Sequence, residues 1–161
     1  MQENIIADIL DNTRRLTRWY FSLLEEDMIF YQFTLNENDV NSAYWIAGHL
    51  SWAQYVVLRA LDPQVRDIPW IHEFALGTPS VDPTHGPEFT EVWDAFNNLH
   101  RQTIQLIRRF PTSQLDQDFP DENMHFVFQS NRMAFYHLIR HEGYHSGQLG
   151  LICKGAGVQT I

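Results

Sequence analysis

Three histidines near the end of the chain, His137, His141 and His145, have the spacing best suited to chemistry. They follow one another at intervals of four residues. Because an α-helix turns about 100° per residue, each would lie on nearly the same helix face as the next. Neutral imidazole is a common protein ligand for zinc, nickel, copper and iron. A rise of about 1.5 Å per residue puts His137 and His145 about 12 Å apart. One ion can therefore use only a neighbouring pair and needs a further ligand from elsewhere.

The same segment fits the H-E-x-x-H pattern of zinc proteases, in which the glutamate is the general base. Its continuation disfavours a protease. The metzincin form requires glycine and histidine at positions where this chain has Gln148 and Leu151. The other form takes a downstream glutamate, and no acidic residue follows Glu142. We therefore interpret Glu142 either as a surface residue or as a residue that contacts a metal ligand without binding the metal itself. We do not interpret it as a general base.

Hydrophobic residues recurring at helical spacing predict an all-α protein, an up-down bundle of four main helices. Asn41 or Ser42 is a credible N-cap for the second helix, and Pro63 and Pro111 follow the ends of the second and third. Three arginines, Arg14, Arg15 and Arg18, fall off the apolar face of the first helix. The predicted spans are about 3–25, 42–61, 88–110 and 131–154.

The second predicted helix offers a candidate third ligand. His49 lies four residues after Trp45 and three before Trp52, within the apolar face. A lone histidine there would more often be a core residue bonded to a carbonyl. Combined with the His141–His145 pair it becomes the expected third ligand, because bundles build metal sites from facing helices. His100, at the border of the third helix's buried stripe, is the alternative.

The remaining histidines are not predicted to bind the metal directly. We expect His72 and His85 to lie on the surface, and His137 to be either a donor supporting a ligand or an ordinary core histidine. Trp45, Tyr144 and Gln148 are candidates for lining or orienting the site.

Two long connections separate the predicted helices. Residues 62–87 contain five of the seven prolines, and a connection of this length is often a lid or binding loop. Its apolar residues, from Trp70 to Leu76, suggest that it packs onto the body. In the second connection, 111–129, the segment from Met124 to Phe128 could be extended.

The segment His141-x-x-x-His145-Ser-Gly-Gln-Leu, preceded by His137, resembles the last helix of the DinB/YfiT-like family. The context Trp45-Ile-Ala-Gly-His49-Leu resembles the histidine-bearing second helix of that family. The resemblance implies a small metal-binding four-helix bundle. Family members with known activity include metal-dependent transferases and isomerases that use low-molecular-weight thiols such as bacillithiol or mycothiol, and others have been suggested to be hydrolases.

Length, charge and composition further limit the class of protein and the kinds of partner. At 161 residues the chain is expected to form one domain, 1–161. A net charge of −9, with no extended basic cluster, disfavours nucleic acid and anionic membranes as partners and favours a small molecule. One cysteine and the lack of a signal-like or membrane-spanning segment predict a cytoplasmic protein. Five tryptophans and eleven phenylalanines are more aromatic surface than four helices would bury alone, which favours a homodimer, as the resemblance also does.

Three neutral ligands would leave an ion, zinc or nickel by preference, its full +2 charge and an open position, as in catalytic zinc sites. Such an ion lowers the pKa of a bound water or thiol. Water would give a hydrolase and a thiol a transferase, and the resemblance favours transfer of a small thiol onto an electrophile. A metal-dependent hydrolase and a non-catalytic metal-binding stress-response protein remain the alternatives.

Overall fold

The structure, a computed structural model, describes residues 2–79 and 81–160, with side chains from residue 5 onward. The elements follow the order α1, α2, β1, β2, α3, α4 and α5. The four long helices confirm the expected all-α four-helix bundle. None of the described helices contains a stretch long and apolar enough to cross a bilayer. The bounds are α1 Gln2–Ser22, α2 Glu26–Ile29, β1 Thr34–Leu35, β2 Asn38–Asp39, α3 Ala43–Leu61, α4 Phe89–Arg109 and α5 Asn131–Gly155.

At most helix ends, the capping residues and prolines act as the sequence predicts. Ser42 caps α3, its hydroxyl accepting the backbone N–H of Trp45 at 3.1 Å, and Asp62 is extended before Pro63. Ser130 caps α5 in the same way through the N–H of Met133. These caps satisfy donors that the first turn of a helix leaves free.

Three segments differ from the sequence prediction. The first helix ends at Ser22 rather than near residue 25, and α2 follows as a separate short helix. The loop at 34–41 contains the two-residue antiparallel pair β1–β2, which turns at Asn36 and Glu37 with positive φ. The segment from Met124 to Phe128 is not extended, because residues Glu122–Met124 form a 3-10 helix followed by a turn.

Side-chain contacts between the helices define their directions. Arg14 meets Glu142 and Thr17 meets Ser146, so α1 and α5 run parallel. Gln54 lies beside His100, and Asp62 pairs with Arg109, so α3 and α4 also run parallel. Asp8 pairs with Arg108 and Arg18 bonds Asn97, so α4 runs opposite to α1. Contacts of Trp45 with His145 and of His49 with His141 make α3 opposite to α5.

The up-down alternation expected from the sequence does not hold for one consecutive pair, because α3 and α4 run parallel and the order is up-down-down-up. These directions explain the long connection at 62–87. Because α3 and α4 point the same way, the chain must return along the bundle, about 28 Å for a helix of 19 residues. On the way it forms a 3-10 helix, Ile71–Phe74, whose Ile71 and Phe74 side chains are fully buried. The Phe74 ring lies on α3 at Gly48, where a Cβ would overlap the ring. The packing expected of this connection is therefore present, and it places the connection beside His49.

The buried apolar residues form two clusters, one at each end of the bundle. One cluster includes Ile6 and Leu10 of α1 with Phe135 and Leu138 of α5. The other includes Tyr20 and Phe21 of α1 with Leu149 and Ile152 of α5. Apart from Asn131 at the start of α5, the buried polar residues of both helices lie between the clusters: Arg14, Thr17, Glu142, His145 and Ser146. The candidate site borders this polar layer.

Candidate metal centre

His49 is held in one orientation from two directions. It is buried on α3, and its Nδ1 lies 2.7 Å from the backbone carbonyl oxygen of Phe74. The carbonyl can only accept, so Nδ1 carries the hydrogen and Nε2 of the neutral ring keeps its lone pair. Trp45 stacks on the imidazole at 4.4 Å between ring centroids and 16° between planes, and Trp52 at 5.4 Å and 19°. These contacts present the His49 Nε2 lone pair to α5.

His145 is held in the same manner by a side chain. Its Nδ1 donates to Oε1 of Gln148 at 2.7 Å, which leaves Nε2 unprotonated. The Nε2–H group of Gln148 in turn donates to the Tyr144 hydroxyl at 3.2 Å. This support is of the kind that fixes the tautomer and the ring orientation of metal-binding histidines.

His141 lies between the other two ligands. Its Nε2 is 3.1 Å from Nε2 of His49 and 3.1 Å from Nε2 of His145. Tetrahedral zinc at 2.0–2.1 Å from each nitrogen separates its ligand atoms by about 3.3–3.4 Å, close to these distances. The structure thus brings together the three residues chosen from the sequence, and they form a group able to hold a metal ion.

Hydrogen bonding among the three rings cannot account for this arrangement. His49 and His145 each direct a lone pair at Nε2 of His141, which carries at most one hydrogen to donate. At least one close pair of nitrogens would therefore lack a well-formed hydrogen bond. The Nδ1 atom of His141 is also buried without a hydrogen-bond partner among the described residues. A cation accepting all three lone pairs fits the donor set.

The electrostatics keep the rings neutral, as metal ligands must be. Burial, followed by the neighbouring His145 and His49, lowers the pKa of His141 to about 2. Burial and then His49 lower the pKa of His145 to about 4. Burial also lowers the pKa of His49, against the opposing effect of its bond to Phe74. The imidazoles are therefore uncharged at neutral pH.

Glu142 does not lie at the surface, as one of the two sequence interpretations held. It is 1 % exposed and points toward α1, where Arg14 donates to its two oxygens at 2.7 and 2.8 Å. The Thr17 hydroxyl donates to Oε1 at 2.6 Å. The carboxylate is thus occupied on a different side of α5 from the cluster, about 100° around the helix from His141. The position that serves as general base in H-E-x-x-H proteases here binds a neighbouring helix.

Arg14 is also buried, contrary to the sequence prediction. The helical period of α1 predicts it on the polar side of that helix, yet it is 0 % exposed. Besides Glu142, its guanidinium donates to the Phe96 carbonyl at 2.8 Å and lies 3.6 Å above the Phe96 ring centroid. Its partner is 128 positions away in sequence, so the helical period of α1 alone gave no sign of it.

The other histidines lie outside the three-residue cluster. His100, the alternative third ligand, donates from Nε2 to Asp11 at 3.1 Å and receives a bond from Gln54 at 3.3 Å. His72 and His85 are exposed, as expected. His137 stacks on His141 at 5.0 Å between centroids, and its Nδ1 accepts a bond from Arg140 at 3.0 Å. It therefore supports the His141 ring by stacking.

The carbonyl of Phe74, which orients His49, is not predictable from the sequence. A backbone carbonyl leaves no trace in residue type. Gly48 could have signalled it, because a glycine within a helix costs about 1 kcal/mol and often marks a close approach. Here the approaching group is the Phe74 ring.

The fold and the site together define a helical bundle with a candidate three-histidine metal centre on facing helices. Comparison with protein families agrees with this class. The family model of the DinB superfamily matches residues 9–149, and the chain belongs to that superfamily. Among curated proteins, no sequence matches the chain.

Proposed function

We propose that this protein is a metal-dependent transferase that moves a low-molecular-weight thiol onto a small electrophilic substrate. The observation that supports this most directly is the geometry of the cluster. Three neutral imidazoles converge, with no carboxylate among the ligand candidates of the described residues. His49, His141 and His145 would hold one divalent ion, zinc or nickel.

The absence of a free carboxylate in this group favours thiol transfer over protease-type hydrolysis. A zinc protease of the H-E-x-x-H type needs its glutamate to take a proton from water. Glu142 is engaged by Arg14 and Thr17 instead. A divalent ion with three neutral ligands lowers the pKa of a thiol, supplying a nucleophile at neutral pH without a separate base. Soft sulfur also suits zinc and nickel.

The net reaction balances without an oxidant. The thiol releases its proton to solvent water, its sulfur forms a bond to the electrophilic carbon, and the leaving group departs with the electron pair of the bond that breaks. Phe74 and Gln148 keep the His49 and His145 rings oriented. The aromatic rings of Trp45 and Trp52 border His49 and would limit access of water.

The partner of this reaction is a small molecule rather than nucleic acid, because a net charge of −9 disfavours binding to phosphates. We place the activity in the cytoplasm, where low-molecular-weight thiols are kept reduced. Cys153 is buried in the apolar cluster around Tyr20 and does not serve as the nucleophile.

The test is a turnover assay with zinc- or nickel-loaded protein. Bacillithiol, mycothiol, cysteine and glutathione are each incubated with a haloarene, and thioether formation is followed. We expect turnover with at least one thiol, its loss in His145→Ala, and its retention in His85→Ala, which alters an exposed histidine. Turnover of an ester or amide but of no thiol would favour a hydrolase. Metal binding without either reaction would favour a non-catalytic metal-binding protein.

A further inference from the structure

Apart from the histidine cluster, the bundle contains a mostly apolar cavity of about 350 Å³. It is formed by α1, α2 and the first turns of α4, whereas the candidate metal ligands belong to α3 and α5. Its volume is within the range of small-molecule sites, which are largely apolar and carry a few well-placed polar groups. The apolar lining consists of Phe21, Leu24, Ile29, Phe89 and Trp93.

Three aromatic rings of this lining lie against one another. The Phe21 ring meets Trp93 edge-on at 5.0 Å between centroids, and the Phe89 ring lies 5.9 Å from Trp93 and 6.4 Å from Phe21. Phe21 is buried, but Phe89 and Trp93 are only half-buried, so part of their ring surface stays open to a ligand. Stacked and edge-on contacts with such rings favour a flat, apolar ligand body.

Arg18 is the cationic group of the cavity, and its position is fixed by Asn97. Its Nε–H donates to Oδ1 of Asn97 at 2.9 Å, and the amide nitrogen of Asn97 donates to the Trp93 carbonyl at 2.8 Å. The two terminal nitrogens of Arg18 make no hydrogen bond or ion pair with the described residues. The guanidinium is therefore oriented through one edge, while its end keeps the paired donors that bind a carboxylate in bidentate fashion.

The charged groups around Arg18 do not neutralise it. Arg101 lines a neighbouring polar cavity together with Arg18, and its side chain bonds a neutral amide. Asp11 of the same polar cavity is bonded to His100. Glu26, exposed beside the apolar cavity, forms no ion pair with Arg18. Although the chain has 20 acidic side chains against 11 basic ones, no described carboxylate pairs with this arginine.

This balance of charges suits a monocarboxylate better than a phosphate group. One guanidinium matches the two oxygens and the single charge of a carboxylate. The nearby carboxylates of Glu26 and Asp11 add negative charge, which disfavours a dianion.

We propose that this cavity binds a small aromatic carboxylate, with the carboxylate on the terminal nitrogens of Arg18 and the ring against Phe21, Phe89 and Trp93. The proposal rests on residues outside the histidine cluster and does not depend on the metal or on the proposed transferase activity.

The test is a calorimetric titration of chelator-treated protein with naphthoate and with naphthamide. The two probes share one ring system and differ in charge, and removal of metal leaves the histidine cluster no ion that could bind the carboxylate. We expect naphthoate to bind the wild type at least about 10-fold more tightly, because hydrogen bonds between charged groups are the stronger ones. Arg18→Gln should abolish this preference and leave the affinity for naphthamide unchanged. Arg66→Gln, which alters an exposed arginine of the connection at 62–87, should bind like the wild type.

A second pair of variants tests the aromatic wall. Trp93→Leu should weaken the binding of both probes about 10-fold, because it removes a ring that contacts the ligand body. Trp19→Leu, which alters an exposed tryptophan of α1 outside the cavity lining, should weaken neither. Circular dichroism and the unfolding midpoint show whether each variant is folded. If Trp93→Leu fails to fold, Arg18→Gln decides, because Arg18 is only half-buried and loses a single hydrogen bond.

Three results would overturn the proposal. The first is equal binding of the two probes by the wild type, or no binding of naphthoate at about 1 mM. The second is a preference for naphthoate that persists in Arg18→Gln, because the carboxylate would then bind elsewhere. The third is displacement of naphthoate by a lower concentration of inorganic phosphate, which would assign the arginines to a phosphate group.

Discussion

Each candidate ligand has one ring nitrogen turned toward the common centre and the other held, or left free, by a different part of the chain. His49 is held by the Phe74 carbonyl and His145 by Gln148, while Nδ1 of His141 has no partner among the described residues. This division fixes which nitrogen of His49 and His145 can bind a cation. The predictions for the ligands and for Gln148 depend on this arrangement.

Alanine at any of the three ligand positions should weaken metal binding by more than about 100-fold. Changes to supporting residues alone cost about 10–100-fold, so removal of a ligand should cost more. Competition with a chelating dye measures the zinc or nickel affinity of His49→Ala, His141→Ala and His145→Ala. The exposed residues His72 and His85 provide controls whose alanine variants should bind like the wild type. Equal metal content in wild type and His145→Ala would show that these three histidines do not form the metal site.

Leucine at Gln148 should weaken metal binding roughly 10-fold or more, because Nδ1–H of His145 would lose its acceptor and the ring its fixed orientation. The same titration measures the effect. Gln105→Leu, on the exposed side of α4, is the matched control. If Gln148→Leu binds as tightly as the control, the hydrogen bond to His145 has no role in holding the ion.

His100 should make the protein less stable as pH falls from about 6.5 toward 4. Burial, followed by the positive charge of Arg14, lowers its pKa to about 4, although its bond to Asp11 opposes this. The unfolded chain, with an ordinary pKa of 6.5, takes up the proton first, so protonation favours unfolding. At most about 3 kcal/mol is lost through this group.

Urea unfolding of chelator-treated protein between pH 7.5 and 4.5 measures this dependence. The buried histidines of the cluster act in the same direction, so the informative comparison is with His100→Gln. That variant should show a shallower fall of the unfolding free energy with pH. Identical pH profiles for the two proteins would count against a neutral, buried His100.

At the scale of elements, the buried ion pair between Arg14 and Glu142 attaches α5 to α1. It fixes the rotation of α5, since Glu142 lies about 100° around the helix from His141. With Glu142 directed toward α1, the two histidines of α5 are directed toward His49 on α3. The same helix thus presents its carboxylate on one side and its imidazoles on another.

Arg14→Met should destabilise the fold by about 3–5 kcal/mol, because it leaves the Glu142 carboxylate buried and unpaired. The double variant Arg14→Met with Glu142→Leu should recover most of that loss, since an apolar pair can replace a buried ion pair. Chemical denaturation measures both. Arg15→Met, one residue along on the exposed side, should change the unfolding free energy by less than about 0.5 kcal/mol. If the double variant is as unstable as the single variant, the ion pair stabilises the fold by more than the neutralisation of two buried charges.

At the scale of the whole molecule, the candidate metal centre joins parts of the chain that are far apart. Its candidate ligands come from α3 and α5, and the carbonyl of Phe74 belongs to the connection between α3 and α4. An ion bound there would bind only the folded state, because the unfolded chain does not hold the three nitrogens together.

Zinc or nickel should therefore raise the melting temperature. At a free metal concentration of 100 times the dissociation constant the gain is about 2.7 kcal/mol. For a chain of this size that corresponds to about 5–10 °C. Calorimetry with and without a chelator checks the shift, and His85→Ala should behave like the wild type. His141→Ala should melt at the same temperature under both conditions; a shift as large as that of the wild type would place the ion elsewhere.

Residue order alone predicts the features that depend on neighbours within about one helical turn. Apolar spacing gave the four long helices, and Ser42 and Pro63 marked the bounds of α3. The interval of four placed His141 and His145 on one face, and the apolar surroundings of His49 made it the expected third ligand. Helical period, caps and proline geometry act over short range, so residue order is enough to predict them.

Features that depend on which helix lies beside which could be read only from the packed bundle. The directions of α3 and α4 and the close approach of Phe74 to Gly48 arise from packing between distant segments. Arg14 looked like a surface arginine because its partner, Glu142, lies 128 positions away. A charged side chain is stable in a core only when a matching group meets it there. Helical period within one segment cannot reveal that meeting, because it is created by the arrangement of the whole bundle.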